Sequence, residues 1–135
     1  METFHSIEMS VRDYELDMQG VVNNSVYGNY FEHARHEFLL SKGVDFAQLA
    51  REGINLVVSR IEIDYKRALT SGDKFRIETS VGRTSSKVKF EFKQTIISGE
   101  TIVSKAVVTG VAVDAVKQKP MRLDAVPALL AASSL

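Results

Sequence analysis

The chain has 135 residues and a mass of 15.0 kDa, which suits one domain over residues 1–135 with a core of its own. Zero Cys excludes disulfides, Cys-ligated zinc, iron–sulfur clusters and thiol nucleophiles, and 17 basic against 17 acidic residues argues against a general nucleic-acid binder. No apolar run approaches the ~20 residues that span a bilayer, and residues 1–10 lack a basic region followed by an apolar stretch, so the expected compartment is the cytosol.

Residues 5–12 alternate Ile7, Met9 and Val11 with Ser6, Glu8 and Ser10, the period of a strand. Residues 13–24 contain Gly20 and read as a loop broken by a turn. Residues 25–42 form the one long helix: Tyr27, Phe31, Ala34 and Phe38 fall on one stripe, which Val26, Tyr30 and Leu39 widen. Asn29, Glu32, His33, His36 and Glu37 hold its polar side. Asn23, Asn24 and Ser25 are competent N-caps, and Lys42–Gly43 is a fitting end. A short helix is expected over residues 45–51.

The remainder is strand-like. Residues 54–69 place Val57, Ser59, Ile61, Ile63 and Tyr65 on one side. After the turn at residues 71–73 comes a strand over 74–81, then a clear alternation over 87–97. A hairpin turn at 98–100 leads into 101–113, apolar or small on both faces. Residues 118–123 add a short edge strand, and the Ala- and Ser-rich tail 125–135 reads as dispensable. The expected fold is α+β, with a long helix wrapped by a curved antiparallel sheet of five to six strands. Consecutive strands are expected to be neighbours. Small residues in 106–112 would let the helix approach closely, and an apolar outer face would call for a second subunit.

Residues 13–30 carry the chemistry. Asp17 stands three residues before Gly20, just upstream of the long helix. A helix start presents unpaired amide hydrogens and partial positive charge, which can stabilise the oxyanion formed when a thioester or ester carbonyl is attacked. A nearby carboxylate can attack that carbonyl or activate water to do so. By itself, Asp17 to Gly20 also fits a plain turn.

The segment Val11 to Arg35 resembles the 4-hydroxybenzoyl-CoA thioesterase branch of the hotdog-fold superfamily. Its loop pattern is matched by Asp17, Gly20, Val22 and Tyr27; the earlier Asp of the pattern is displaced, with Glu15 and Leu16 in its neighbourhood. The wording Gly-Val-Val-Asn-Asn followed by Tyr-Gly-Asn-Tyr is similar to plant acyl-lipid thioesterases and their bacterial relatives. The resemblance implies a hotdog domain that hydrolyses acyl-CoA or acyl-carrier-protein thioesters without a cofactor, coenzyme A being part of the substrate. Asp17 would be nucleophile or general base, and the Asn24 backbone amide the oxyanion donor. Gly20, Val22, Asn23 and Tyr27 would surround the substrate. Arg83, Ser85, Ser86 and Lys87 would lie near the coenzyme's phosphates or pantetheine, and Ser59 and Arg60 would line a neighbouring subunit's site. A homodimer or homotetramer is implied.

The weaker candidates are soon spent. His33 and His36 share a helix face with Glu32 and Glu37, but no third ligand points to a metal. No Gly-x-Ser-x-Gly elbow and no phosphate-binding glycine loop occurs. Alternative functions are a non-catalytic acyl-thioester sensor and, further off, an enoyl-CoA hydratase or dehydratase, which would want a His in the loop. Charge is also split: residues 1–43 hold 3 basic and 7 acidic residues, whereas residues 44–135 hold 14 basic and 10 acidic. The basic later strands suit an anionic ligand.

Overall fold

In the computed structural model, which describes residues 4–127 and residue 129, strand β1 covers His5–Ser10 with Ile7 and Met9 turned inward. Helix α1 covers Asn24–Ser41. Asn23 caps it: its side-chain oxygen accepts from the Ser25 amide at 3.0 Å, satisfying a donor that the first turn leaves orphaned. The helix ends at Gly43, whose φ of +80° suits a residue without Cβ. Tyr27, Tyr30, Phe31, Ala34, Phe38 and Leu39 are buried, as the stripe predicts. Arg35 is buried with them, although its residue type places it with solvent. The short helix α2 follows at Phe46–Arg51, capped by the Asp45 side chain.

The strands are β2 (Ile54–Tyr65), β3 (Lys74–Arg83), β4 (Lys89–Ser98), β5 (Thr101–Asp114) and β6 (Lys119–Pro120). They form one antiparallel sheet in the order β1-β3-β4-β5-β2, with β6 also on β5. The β3-β4-β5 meander is joined by tight turns, with Gly99 at φ +62° between β4 and β5. Strand β2 departs from the neighbour rule. It pairs with β5 rather than β3, so residues 66–73 carry the chain to the far half of the sheet. The fold class expected from sequence is the one observed.

Helix α1 lies over the β1–β3 side and fills the core with Phe75, Ile77, Phe92, Ile96 and Val108. Three expectations are corrected. First, β2 does not keep one parity: a bulge between Val58 and Arg60 inserts Ser59. Leu56 and Val58 oppose Ala112 and Gly110 before it, and Ile61, Ile63 and Tyr65 oppose Val108, Ala106 and Ser104 after it. The inner row is therefore Leu56, Val58, Ile61, Ile63 and Tyr65, and Arg60, Glu62 and Asp64 face outward. Second, the space at Gly110 is filled by the Phe90 ring, its cross-strand partner, rather than by the helix. Third, the tail is not dispensable where it is described: Val126 and Leu129 are fully buried in the core. The outer sheet face carries Glu91 and Lys93 beside Lys105 and Thr109, a mixed polar surface instead of an apolar one.

Candidate active site

The loop before α1 is built by its own polar groups. Glu15, in a short 3-10 turn, is buried; its Oε1 accepts from the Arg12 amide and from the Tyr30 hydroxyl, both at 2.8 Å. Its carbonyl accepts from the Asn23 amide at 3.0 Å. Residues 16–22 then form a miniature hairpin, with the Asp17 amide on the Val21 carbonyl at 2.8 Å and the Gly20 amide on the Asp17 carbonyl at 3.1 Å. Gly20 turns the corner at φ +77°, where a Cβ would be strained. The hairpin is stapled to the chain leaving β2, the Val22 amide donating to the Leu69 carbonyl at 2.8 Å.

This scaffold sets Asp17 half-buried at the helix start. Its Oδ1 accepts from the Gln19 amide at 2.8 Å, and Oδ2 accepts from none of the described residues. Asn24 is the first helical residue, and its amide hydrogen donates to none of the described residues. The Tyr65 hydroxyl donates to the Asn24 carbonyl at 3.3 Å and packs edge-on against the Tyr27 ring at 5.3 Å. Asp17, Asn24, Tyr27, Tyr65, Lys66 and Arg67 open onto one cleft of about 390 Å³, with Val21 and Val22 in its wall. A free carboxylate oxygen and a free amide donor thus share a cavity that also holds two cations. Such a set can deliver a nucleophile or a base to a carbonyl and receive the oxyanion. Burial raises the Tyr27 phenol above its usual range, so it is a neutral wall. Burial, and then the Glu15 carboxylate, raise Tyr30 further.

Residues 11–132 match the family model described as Thioesterase-like superfamily. The chain belongs to that superfamily. Among curated relatives, this thioesterase-like chain is 48% identical over 86 residues to the acyl-acyl carrier protein thioesterase ATL3, chloroplastic, of Arabidopsis thaliana, a match covering 64% of this chain and 45% of that protein. It is 32% identical over 110 residues to the acyl-CoA thioesterase YbgC of Haemophilus influenzae, covering 79% of each. The chain spans about half the length of the plant relatives it matches. In fold it superposes on a DHNA-CoA thioesterase from Staphylococcus aureus with a TM-score of 0.83 at 23% identity, covering 91% of this chain and 83% of that one. The hotdog architecture is thereby established.

Within this superfamily member the other sequence-predicted residues are spread out. Val22 and Tyr27 line the Asp17 cleft, whereas Gly20 shapes the turn and Asn23 caps the helix. Arg83, Ser85, Ser86 and Lys87 lie in a separate cleft of about 290 Å³ that also takes in Arg122 and Asp124. There the Ser86 hydroxyl is committed to the amides of Val88 and Lys89, at 3.2 Å each. Ser59 sits in the β2 bulge with its hydroxyl 3.4 Å from the Thr109 carbonyl, and Arg60 pairs with Glu62 at 2.9 Å on the outer face. Neither lines the Asp17 cleft of its own chain. His33 and His36 are exposed, and no group of three or more His, Cys, Asp or Glu among the described residues is placed to hold a metal. No described helix is long and apolar enough to cross a membrane.

Sequence reasoning missed Tyr65, Lys66 and Arg67. The signal was there: two cations directly follow a β-branched strand, at the point where alternation stops. It also missed Glu15 as the loop's anchor.

Proposed function

We propose that this chain hydrolyses acyl thioesters of coenzyme A or acyl carrier protein to a free acid and a thiol. The observation that carries the reading is the Asp17 carboxylate, with one oxygen free, opening onto the same cleft as the unused Asn24 amide. Asp17 either takes a proton from water as the water adds to the carbonyl, or adds itself and leaves an anhydride that water then splits. In both routes the carbonyl oxygen gains negative charge, which the Asn24 N–H and the helix start stabilise. The thiolate departs with the sulfur and takes up a proton. No cofactor takes part.

Lys66 and Arg67 at the cleft suit the substrate's phosphates, as do Arg83 and Lys87, joined by Arg122, in the second cleft. A cytosolic location fits this reading. So does a homodimer formed along β2, which is an edge strand with Val58, Ile61 and Tyr65 still 50%, 43% and 51% exposed on its inner row.

The test is thiol release across a panel of acyl-CoA and acyl-carrier-protein substrates, run on wild type and Asp17→Asn together. We expect turnover by wild type and a loss of about a hundred- to ten-thousandfold in the variant, with unchanged melting. Equal rates in the two proteins would remove Asp17 from the mechanism. Tight binding of every thioester without turnover would point to a sensor.

A further inference from the structure

Arg35 is 7% exposed, yet it takes part in none of the ion pairs among the described residues. Its one side-chain hydrogen bond runs from Nη1 to Gln94 Oε1 at 3.1 Å. Gln94 is itself fully buried and locked, its amide donating to the Phe31 carbonyl at 2.9 Å and the Thr79 hydroxyl at 3.1 Å. The guanidinium is therefore held in place by neutral groups alone. Its Nε and Nη2 donate to no described residue. No fully buried side-chain nitrogen or oxygen among the described residues lacks a partner, so these two atoms reach an opening. Arg35 lines a cleft of about 360 Å³ together with Leu39, Phe46, Leu56, Val58 and Phe92 and the exposed Glu32 and His36. Burial lowers the Arg35 pKa, and the charge of Glu32 opposes that without forming an ion pair with it.

A buried cation without a hydrogen-bonded counter-charge is costly, and the Nε/Nη2 edge is the side of a guanidinium that grips a carboxylate with two parallel bonds. The cleft and the Asp17 site share no wall residue but lie along the same two elements, α1 and β2. Tyr65 touches Asn24 at one end of the inner row of β2, Ile61 lies exposed midway, and Val58 shares the Arg35 cleft at the other. Along α1, residue 24 to residue 35 is about 16 Å at the helical rise, roughly the reach of an extended twelve-carbon chain.

We infer that Arg35 is a specificity-determining residue that binds a carboxylate at the far end of the acyl group, so that the preferred substrates are monothioesters of medium-chain dicarboxylic acids. This rests on the thioesterase reading for the position of the reacting carbonyl. The Tyr65–Ile61–Val58 row would carry the methylene chain, and Arg35 would replace the water shell of the terminal carboxylate.

Two measurements test it. The first is the ratio of kcat/KM for dodecanedioyl-CoA over dodecanoyl-CoA. We expect wild type to favour the diacid by about tenfold or more, Arg35→Met to bring the ratio to one or below, and Arg35→Lys to fall between, with the change carried mainly in KM. The second needs no turnover: dodecanedioate should raise the wild-type Tm where dodecanediol does not. That rise should vanish in Arg35→Met and in Phe46→Glu, which supplies a carboxylate from the cleft wall on α2, away from β2, and serves if Arg35→Met does not fold. A wild-type ratio near one, or a Tm rise that survives in either variant, overturns the inference. No thioester cleaved, with an Arg35-dependent Tm rise intact, overturns only the hydrolase reading. Brisk cleavage with no diacid preference overturns only the Arg35 subsite.

Discussion

Glu15 and Tyr30 hold the loop that carries Asp17, and they do it with one shared hydrogen bond out of water. Glu15 Oε1 accepts from the Arg12 amide and the Tyr30 hydroxyl, and Oε2 lies 3.6 Å from the Arg12 guanidinium, so this carboxylate positions the loop. The Tyr30 phenol, ordinarily titrating near 10.0, is raised by burial and by Glu15. The folded state thus retains a proton that the unfolded state gives up, so this contribution is complete below pH 10 and is lost as pH rises toward the folded value. We expect denaturant stability to be level across neutral pH and to fall above pH 10, with a shallower alkaline slope in Tyr30→Phe. That variant also leaves buried Glu15 short of a donor, at a cost of about 1–3 kcal/mol at pH 7; an unchanged slope would remove Tyr30 from the account. At this scale the sequence was partly legible. Asp17, Gly20 and the cap Asn23 announce themselves because turn and cap chemistry limits residue type. Arg35 does not, since a stripe recognised by apolar residues hides a charged member whose partner, Gln94, is distant in sequence.

The elements were legible where residue type repeats with one period. Helix α1 and the β3-β4-β5 meander follow from alternation and turns. The bulge at Ser59 was not legible, because Val57, Ser59, Ile61 and Ile63 also alternate without a break, and only pairing with β5 shows the extra residue. Nor does composition say that the glycine in β5 makes room for an aromatic ring. A Cβ at Gly110 would stand 2.5 and 2.6 Å from two Phe90 ring atoms, and that ring is 1% exposed. Gly110→Ala should therefore destabilise the fold by about 1–3 kcal/mol through overpacking. Gly82→Ala, on β3 with open space at its Cβ, is the comparison. Equal denaturation midpoints for the two variants would contradict the packing argument.

At the scale of the whole molecule, the acidic first part and basic remainder meet at the site: Asp17 comes from one, Lys66 and Arg67 from the other. The strand order brings them together, since β2 ends beside the start of α1. The same order leaves β2 at the rim with its inner row uncovered. Ile61→Glu should accordingly yield monomers by sedimentation where wild type sediments as a dimer; a wild-type monomer would end the proposal of a β2 interface. The Tyr65 hydroxyl on the Asn24 carbonyl then acquires a second meaning. It ties the helix start to the very strand a second copy would secure. On the proposed dimer and mechanism, loosening that strand would loosen the helix start, and subunit association and catalysis would be linked equilibria. Specific activity should then decline on dilution before any secondary structure melts, and protein concentration would itself act as a regulator; activity that does not change on dilution would refute the link.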